Sequence, residues 1–150
     1  MNRISFIFHE TSFALRHRLI LREQITKLFK THHIEEYELT FIFCTDDYLL
    51  GINRQHLKHD YYTDIITFDL STDDQVRQAE IYISVDRVKD NSRALKNTFP
   101  EEMYRVIFHG VLHLCGYKDK SPSDIKKMRA AEEKVLTDLQ VVVSRNTVSK

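Results

Sequence analysis

Four short runs rich in β-branched and aromatic residues alternate with longer stretches whose apolar residues recur every three or four positions. That alternation restricts the fold more than any other feature of the chain. Residues 4–8 read as a first strand, and Thr11 opens a stretch over 13–29 with helical spacing. Residues 38–44 are a second strand, after which Thr45-Asp46-Asp47 is suited to cap a helix running to about Leu57. Residues 63–69 form a third strand, Asp73 and Asp74 mark a polar turn, and residues 80–85 alternate polar and apolar as a fourth strand does. Helical periodicity returns over 88–96, 100–114 and 121–139. Pro100 suits a first helical turn, Gly116 a helix C-terminus, and Ser121-Pro122-Ser123-Asp124 a capping sequence. The segment 141–150 carries no decisive pattern. The expected fold is α+β, a small four-stranded mixed sheet covered by about five helices.

With 150 residues, 42% hydrophobic and 29% charged, the expectation is one domain spanning 1–150 around one core. Three Gly and two Pro exclude collagen-like and low-complexity classes. Cys44 and Cys115 lie in apolar stretches and are too few for a disulfide framework, so a reducing cytoplasm is expected. The first ten residues lack the apolar stretch of a signal peptide, and no run reaches the roughly 18 apolar residues of a membrane span. The formal net charge of zero hides an uneven distribution: +4 over residues 1–34, −9 over 35–86 and +5 over 87–150. A basic face forms only if the two positive segments meet in space; otherwise each is a solvated helix surface.

His109 and His113 are four apart in a predicted helix, so both imidazoles project from one face, the spacing of helical zinc ligands. The pair alone is weak, and its neighbours strengthen it. Gly110 inside the helix implies close packing or room for a ligand. Gly116 stops the helix, and the chain after it can bring Lys118, Asp119 or Lys120 back to the rings; of these only Asp119 can be a ligand. Two histidines and a carboxylate leave a fourth position open, the pattern of a catalytic site. Against this stands a pair of surface or hydrogen-bonded histidines. A separate alternative concerns Asp119 alone: it caps the turn before Ser121 or pairs with a lysine, and water or His59 completes the coordination.

The segment His109-Gly110-Val111-Leu112-His113-Leu114-Cys115-Gly116-Tyr117 closely resembles the signature of the YbeY family of metal-dependent endoribonucleases and rRNA maturation factors. Upstream, Ile52-Asn53, then Asp60 to Phe68, then Glu80-Ile81-Tyr82-Ile83-Ser84-Val85-Asp86 are similar to further family motifs, in the family's order. The resemblance covers roughly residues 45–140. It departs from the family at the third ligand position, where Asp119 replaces a histidine. It departs again at Leu57, where an arginine is usual.

The resemblance implies a cytoplasmic, metal-dependent, single-strand endoribonuclease acting on ribosomal RNA and the ribosome in maturation and quality control. One ion, zinc or another divalent metal, is held by His109, His113 and Asp119. Arg54 and Arg105 are the candidate catalytic residues, and Asp64 and Asp86 are further candidates for supporting the ligands or meeting phosphate. Arg54, Lys58, Arg105, Lys118 and Lys120 are candidate RNA contacts. No residue identifies itself as the general base. Two histidines with one carboxylate also suit iron. One rival is a zinc peptidase, disfavoured because Gly110 stands where the catalytic Glu of those enzymes follows the first histidine. Another is a ribosome-binding module with a structural metal.

Overall fold

In the computed structural model, which describes residues 2–148 and side chains as far as 145, the strands β1 (Arg3–Phe8), β2 (Glu36–Cys44), β3 (Ile65–Asp69) and β4 (Val76–Ser84) form one sheet. The helices are α1 (Arg18–Thr31), α2 (Asp46–Leu57), α3 (Val85–Leu95), α4 (Phe99–Leu114) and α5 (Pro122–Val148). Strand order is β1-β2-β4-β3, with β1, β2 and β4 parallel and β3 antiparallel to β4, so the sheet is mixed as expected.

Alternate residues of the strands feed two cores. Leu39, Phe41 and Phe43 of β2 with Ile81 and Ile83 of β4 face one side, where Leu21, Ile25 and Phe29 of α1, Ile107 and Val111 of α4, and Val135 and Leu139 of α5 close over them. On the opposite side Cys44 and Ile66 pack with Leu49 of α2. The two positively charged segments do meet, because α1 packs against α5.

Short polar side chains set the helix starts. Thr45, Ser84 and Thr98 accept from the backbone N–H groups of Tyr48, Arg87 and Glu101 at 3.2, 3.0 and 3.2 Å, and Ser121 accepts from Asp124 N–H at 3.0 Å. The Ser84 cap ends β4 one residue before the expected limit and starts α3 at Val85 rather than Val88. At its other end β4 reaches back to Val76, and β3 begins at Ile65 rather than Thr63.

The largest difference lies at α1, which begins at Arg18 rather than near Phe13. Residues 11–17 stay irregular because Phe13 is used elsewhere, edge-on to Phe43 at 5.0 Å and to Phe99 at 5.5 Å, and the Arg16 carbonyl accepts from the Tyr104 hydroxyl at 3.1 Å. Tertiary packing overrides helical periodicity there. In the 141–150 segment α5 continues to Val148, and residues 149 and 150 lie outside the described region.

Candidate metal centre and active site

The centre is built on the last two turns of α4. Its end is a left-handed cap: Gly116 has φ +104°, its N–H bonds the His113 carbonyl at 3.0 Å, and Tyr117 N–H bonds the Leu112 carbonyl at 3.1 Å. Arg77 of β4 donates to the Leu114 carbonyl at 2.8 Å and ties that end to the sheet. Gly110 resolves toward close packing. A Cβ there would lie 2.9 Å from Ile65 Cδ1 and 3.3 Å from Ile81 Cγ2, so the missing side chain lets α4 sit down on β3 and β4.

The turn after Gly116 returns Asp119 to the two rings. His109 Nε2 and His113 Nε2 are 3.1 Å apart, and Asp119 Oδ2 lies 3.4 Å from the first and 3.3 Å from the second. Both Nδ1 atoms are committed elsewhere. His113 Nδ1 is 2.9 Å from the Tyr117 carbonyl, which only accepts, so Nδ1 carries the proton. His109 Nδ1 is 2.7 Å from Glu132 Oε2 and donates to that carboxylate.

In the neutral rings both Nε2 lone pairs therefore converge with a carboxylate oxygen, and a proton or cation between them is required to offset the repulsion. Ligands at the 2.0–2.1 Å bonds of tetrahedral zinc are about 3.3–3.4 Å apart, and the donor triangle has that size. Among the described residues, His109, His113 and Asp119 are the group able to hold a metal ion.

Glu132 is the residue that the sequence reading missed. It is 4% exposed on α5. Besides His109 it accepts from Arg105 at 3.1 Å, and Arg105 also reaches Glu133 at 2.5 Å. Burial by itself raises the Glu132 carboxyl, but the hydrogen bonds from His109 and Arg105 outweigh it and hold the group below its ordinary range. Burial likewise pulls the His109 imidazole down, and the bond and charge of Glu132 reverse that to a net upward shift. A signal for Glu132 existed: Met128, Val135 and Leu139 form the buried stripe of α5, and a carboxylate at 132 falls on it.

Two clefts meet at the triangle. One, about 310 Å³, is lined by Asp64, Arg105, His109, Asp119, Arg129 and Glu132 among others. The second, about 470 Å³, is lined by Thr63, Asp64, Ile65, Thr67, Asp69, His109, His113, Leu114 and Asp119. Asp64 lines both; its Oδ2 accepts from Asn91 at 3.3 Å, and burial pushes its carboxyl up. Lys118 and Lys120 flank Asp119 on the exposed turn.

The other candidates lie elsewhere. Arg54 pairs with Asp60 and lines neither cleft. Asp86 accepts from the Asp46 N–H at the start of α2, and His59 is stacked on Tyr61, whose hydroxyl is 3.0 Å from its Nδ1. A further cleft, about 620 Å³ between α2 and the sheet, is lined by neither His109 nor His113.

The model of the Endoribonuclease YbeY family matches residues 8–140. A Cytophaga hutchinsonii protein named Endoribonuclease YbeY is 45% identical over 134 residues, covering 89% of this chain and 94% of its own. The protein of the same name from Porphyromonas gingivalis is 43% identical over 143 residues, covering 95% and 94%. The solution structure of a Thermotoga maritima protein matches with a TM-score of 0.64 at 26% identity, over 100% of this chain and 96% of that one. With a family model spanning most of its length and relatives this similar end to end, the chain belongs to the YbeY family.

Proposed function

We propose that this protein is a metal-dependent endoribonuclease of the cytoplasm that cleaves single-stranded RNA, acting on ribosomal RNA in the maturation and quality control of the ribosome. The observation that carries the reading is the convergence of His109 Nε2, His113 Nε2 and Asp119 Oδ2 at zinc-ligand spacing where two open clefts meet. We assign the position to one zinc ion held by those three residues. When bound, such an ion acidifies a water and polarises a phosphoryl oxygen.

The chain's own residues divide the remaining work. Glu132 orients His109 and keeps its proton on Nδ1, and Arg105 acts through Glu132 as a positioning residue. Arg129, exposed at the mouth of the smaller cleft, is placed to meet a phosphate, with Lys118 and Lys120 on the adjoining turn. Asp64 supplies a carboxylate common to both clefts for orienting the attacking water. Arg54, outside the clefts, is left to contact a longer strand.

The test is metal analysis of untagged protein, together with cleavage of a defined single-stranded RNA before and after chelation. The expected result is one zinc per chain, loss of cleavage on removal and recovery on replacement. Cleavage that persists in metal-free protein overturns the reading. Ribosome binding without cleavage by the loaded protein assigns it instead to a binding module.

A further inference from the structure

The free edge of β3 runs along the larger cleft, and its orientation follows from the ladder. Ser84 N–H bonds the Asp64 carbonyl at 2.9 Å, and Leu70 N–H bonds the Gln78 carbonyl at 2.7 Å, so the even-numbered residues turn their main-chain groups toward β4. In an antiparallel pair these groups alternate in direction, so those of Ile65, Thr67 and Asp69 turn outward. All three residues line the cleft that holds His109, His113 and Asp119. Among the described residues, the Ile65 carbonyl accepts from the Thr63 hydroxyl at 3.4 Å, and the Thr67 N–H and carbonyl have no protein partner.

We propose that this edge is a nucleobase subsite, at which an unpaired base hydrogen-bonds the main chain of Thr67 while the phosphate beside it faces Arg129. The inference rests on the endoribonuclease reading and adds to it the way a single strand is recognised.

Charge decides which part of a nucleotide enters each cleft. Beyond the ion assigned to His109, His113 and Asp119, the β3 cleft presents the carboxylates of Asp64 and Asp69 and no Lys or Arg, so along β3 a phosphate is repelled, whereas amino groups of bases are attracted. The other cleft also carries carboxylates, those of Asp64, Asp119 and Glu132, but sets Arg105 and the exposed Arg129 against them. The volume of the β3 cleft, about 470 Å³, is within the range of small-ligand sites. The Watson–Crick edge of every base offers a donor beside an acceptor, which matches the adjacent carbonyl and N–H of one outward-facing residue. A paired base has no such edge to offer, so the subsite selects for single strands without demanding a sequence. The Asp69 carboxylate adds a preference for bases with an exocyclic amino group over uracil, which lacks one.

Thr67→Pro removes the outward N–H without touching the β4 ladder, a substitution edge strands tolerate. Binding of short RNA hexamers and of a ribose-phosphate hexamer lacking bases is compared in metal-loaded wild-type and variant protein. The expected result is about tenfold weaker binding of oligo(C) and oligo(A) to the variant, with unchanged binding of the abasic strand. Wild-type protein is expected to prefer oligo(C) and oligo(A) to oligo(U), and Asp69→Asn to narrow that preference.

Equal loss on both kinds of strand, or no loss, overturns the subsite and leaves the endoribonuclease reading intact. Wild-type protein that neither binds nor cleaves RNA overturns both. An extended peptide that displaces the RNA and is itself weakened by Thr67→Pro assigns the edge to a protein strand and also overturns it. Where circular dichroism shows that Thr67→Pro does not fold, the Asp69→Asn comparison decides, an unchanged base preference being the overturning result.

Discussion

Glu132 of α5 holds the Nδ1 of His109, 23 positions away on α4, at 2.7 Å, while Arg105 fixes its other oxygen at 3.1 Å. The carboxylate thus determines both the orientation of one ring of the candidate metal site and which of its nitrogens is free. Replacing it with alanine leaves the Nδ1 donor and part of the Arg105 fork without partners. Zinc affinity, measured by competition with a chromogenic chelator, is expected to fall 10–100-fold in Glu132→Ala, with Glu132→Gln intermediate because its carbonyl still accepts from Nδ1. Wild-type affinity in the alanine variant would exclude the positioning role.

Asp119 stands at 3.3–3.4 Å from both Nε2 atoms, and its carboxylate is the donor that completes the triangle. Asp119→Ala is expected to lose stoichiometric metal after dialysis against a weak chelator, whereas Asp119→His, which restores a neutral ligand, keeps it. Metal retained by the alanine variant at wild-type affinity would show that the carboxylate is not a ligand.

The packing of α4 on the sheet depends on the absence of a side chain at Gly110. Gly110→Val must displace Ile65 and the stiff γ-branch of Ile81, which lies 3.3 Å from a Cβ built at that position. Overpacking of this kind costs about 1–3 kcal/mol. The expected outcome in urea denaturation is a lower midpoint with an unchanged slope.

Burial pushes the Cys44 thiol up to about 12, with the Asp86 and Asp46 charges adding to the shift, and burial pushes Cys115 to about 12 as well. An acid whose folded value is raised stays protonated in the native state at a pH where the unfolded chain has lost its proton. Stability is therefore full below the ordinary thiol range and falls as pH rises from there toward 12. Iodoacetamide at pH 8 is expected to leave both thiols unmodified in folded protein and to alkylate both in urea, as read by mass spectrometry.

Lys118 and Lys120 flank Asp119 on an exposed turn. If they neutralise phosphates, charge reversal at both weakens RNA binding and flattens its dependence on salt, because fewer counterions are released. A salt titration with slope unchanged from wild type would remove them from the interface.

Much of the fold could be read locally. The β-strand periods, the caps at Thr45 and Ser121 and the stop at Gly116 concern contacts within a few residues, so their physics is contained in short windows of sequence. The same holds for His109 and His113, which helical spacing alone places on one face, and for Asp119, which a tight turn after Gly116 keeps within reach. By contrast, the start of α1 was settled by where the Phe13 ring found aromatic partners. Within its own helix Gly110 is compatible with either packing or ligand space, and Ile65 and Ile81, brought against it from two strands, decide for packing.

The sequence by itself determined the layered α+β class and the two imidazoles with their returning carboxylate, because these follow from periods and turns of short range. Only the tertiary structure decided that Glu132 stands behind His109, that Arg54 turns to Asp60 outside the clefts, and that the unpaired edge of β3 borders the cluster of His109, His113 and Asp119. Those relationships join residues far apart in the chain. They depend on how helices and strands pack against one another, which no local pattern specifies.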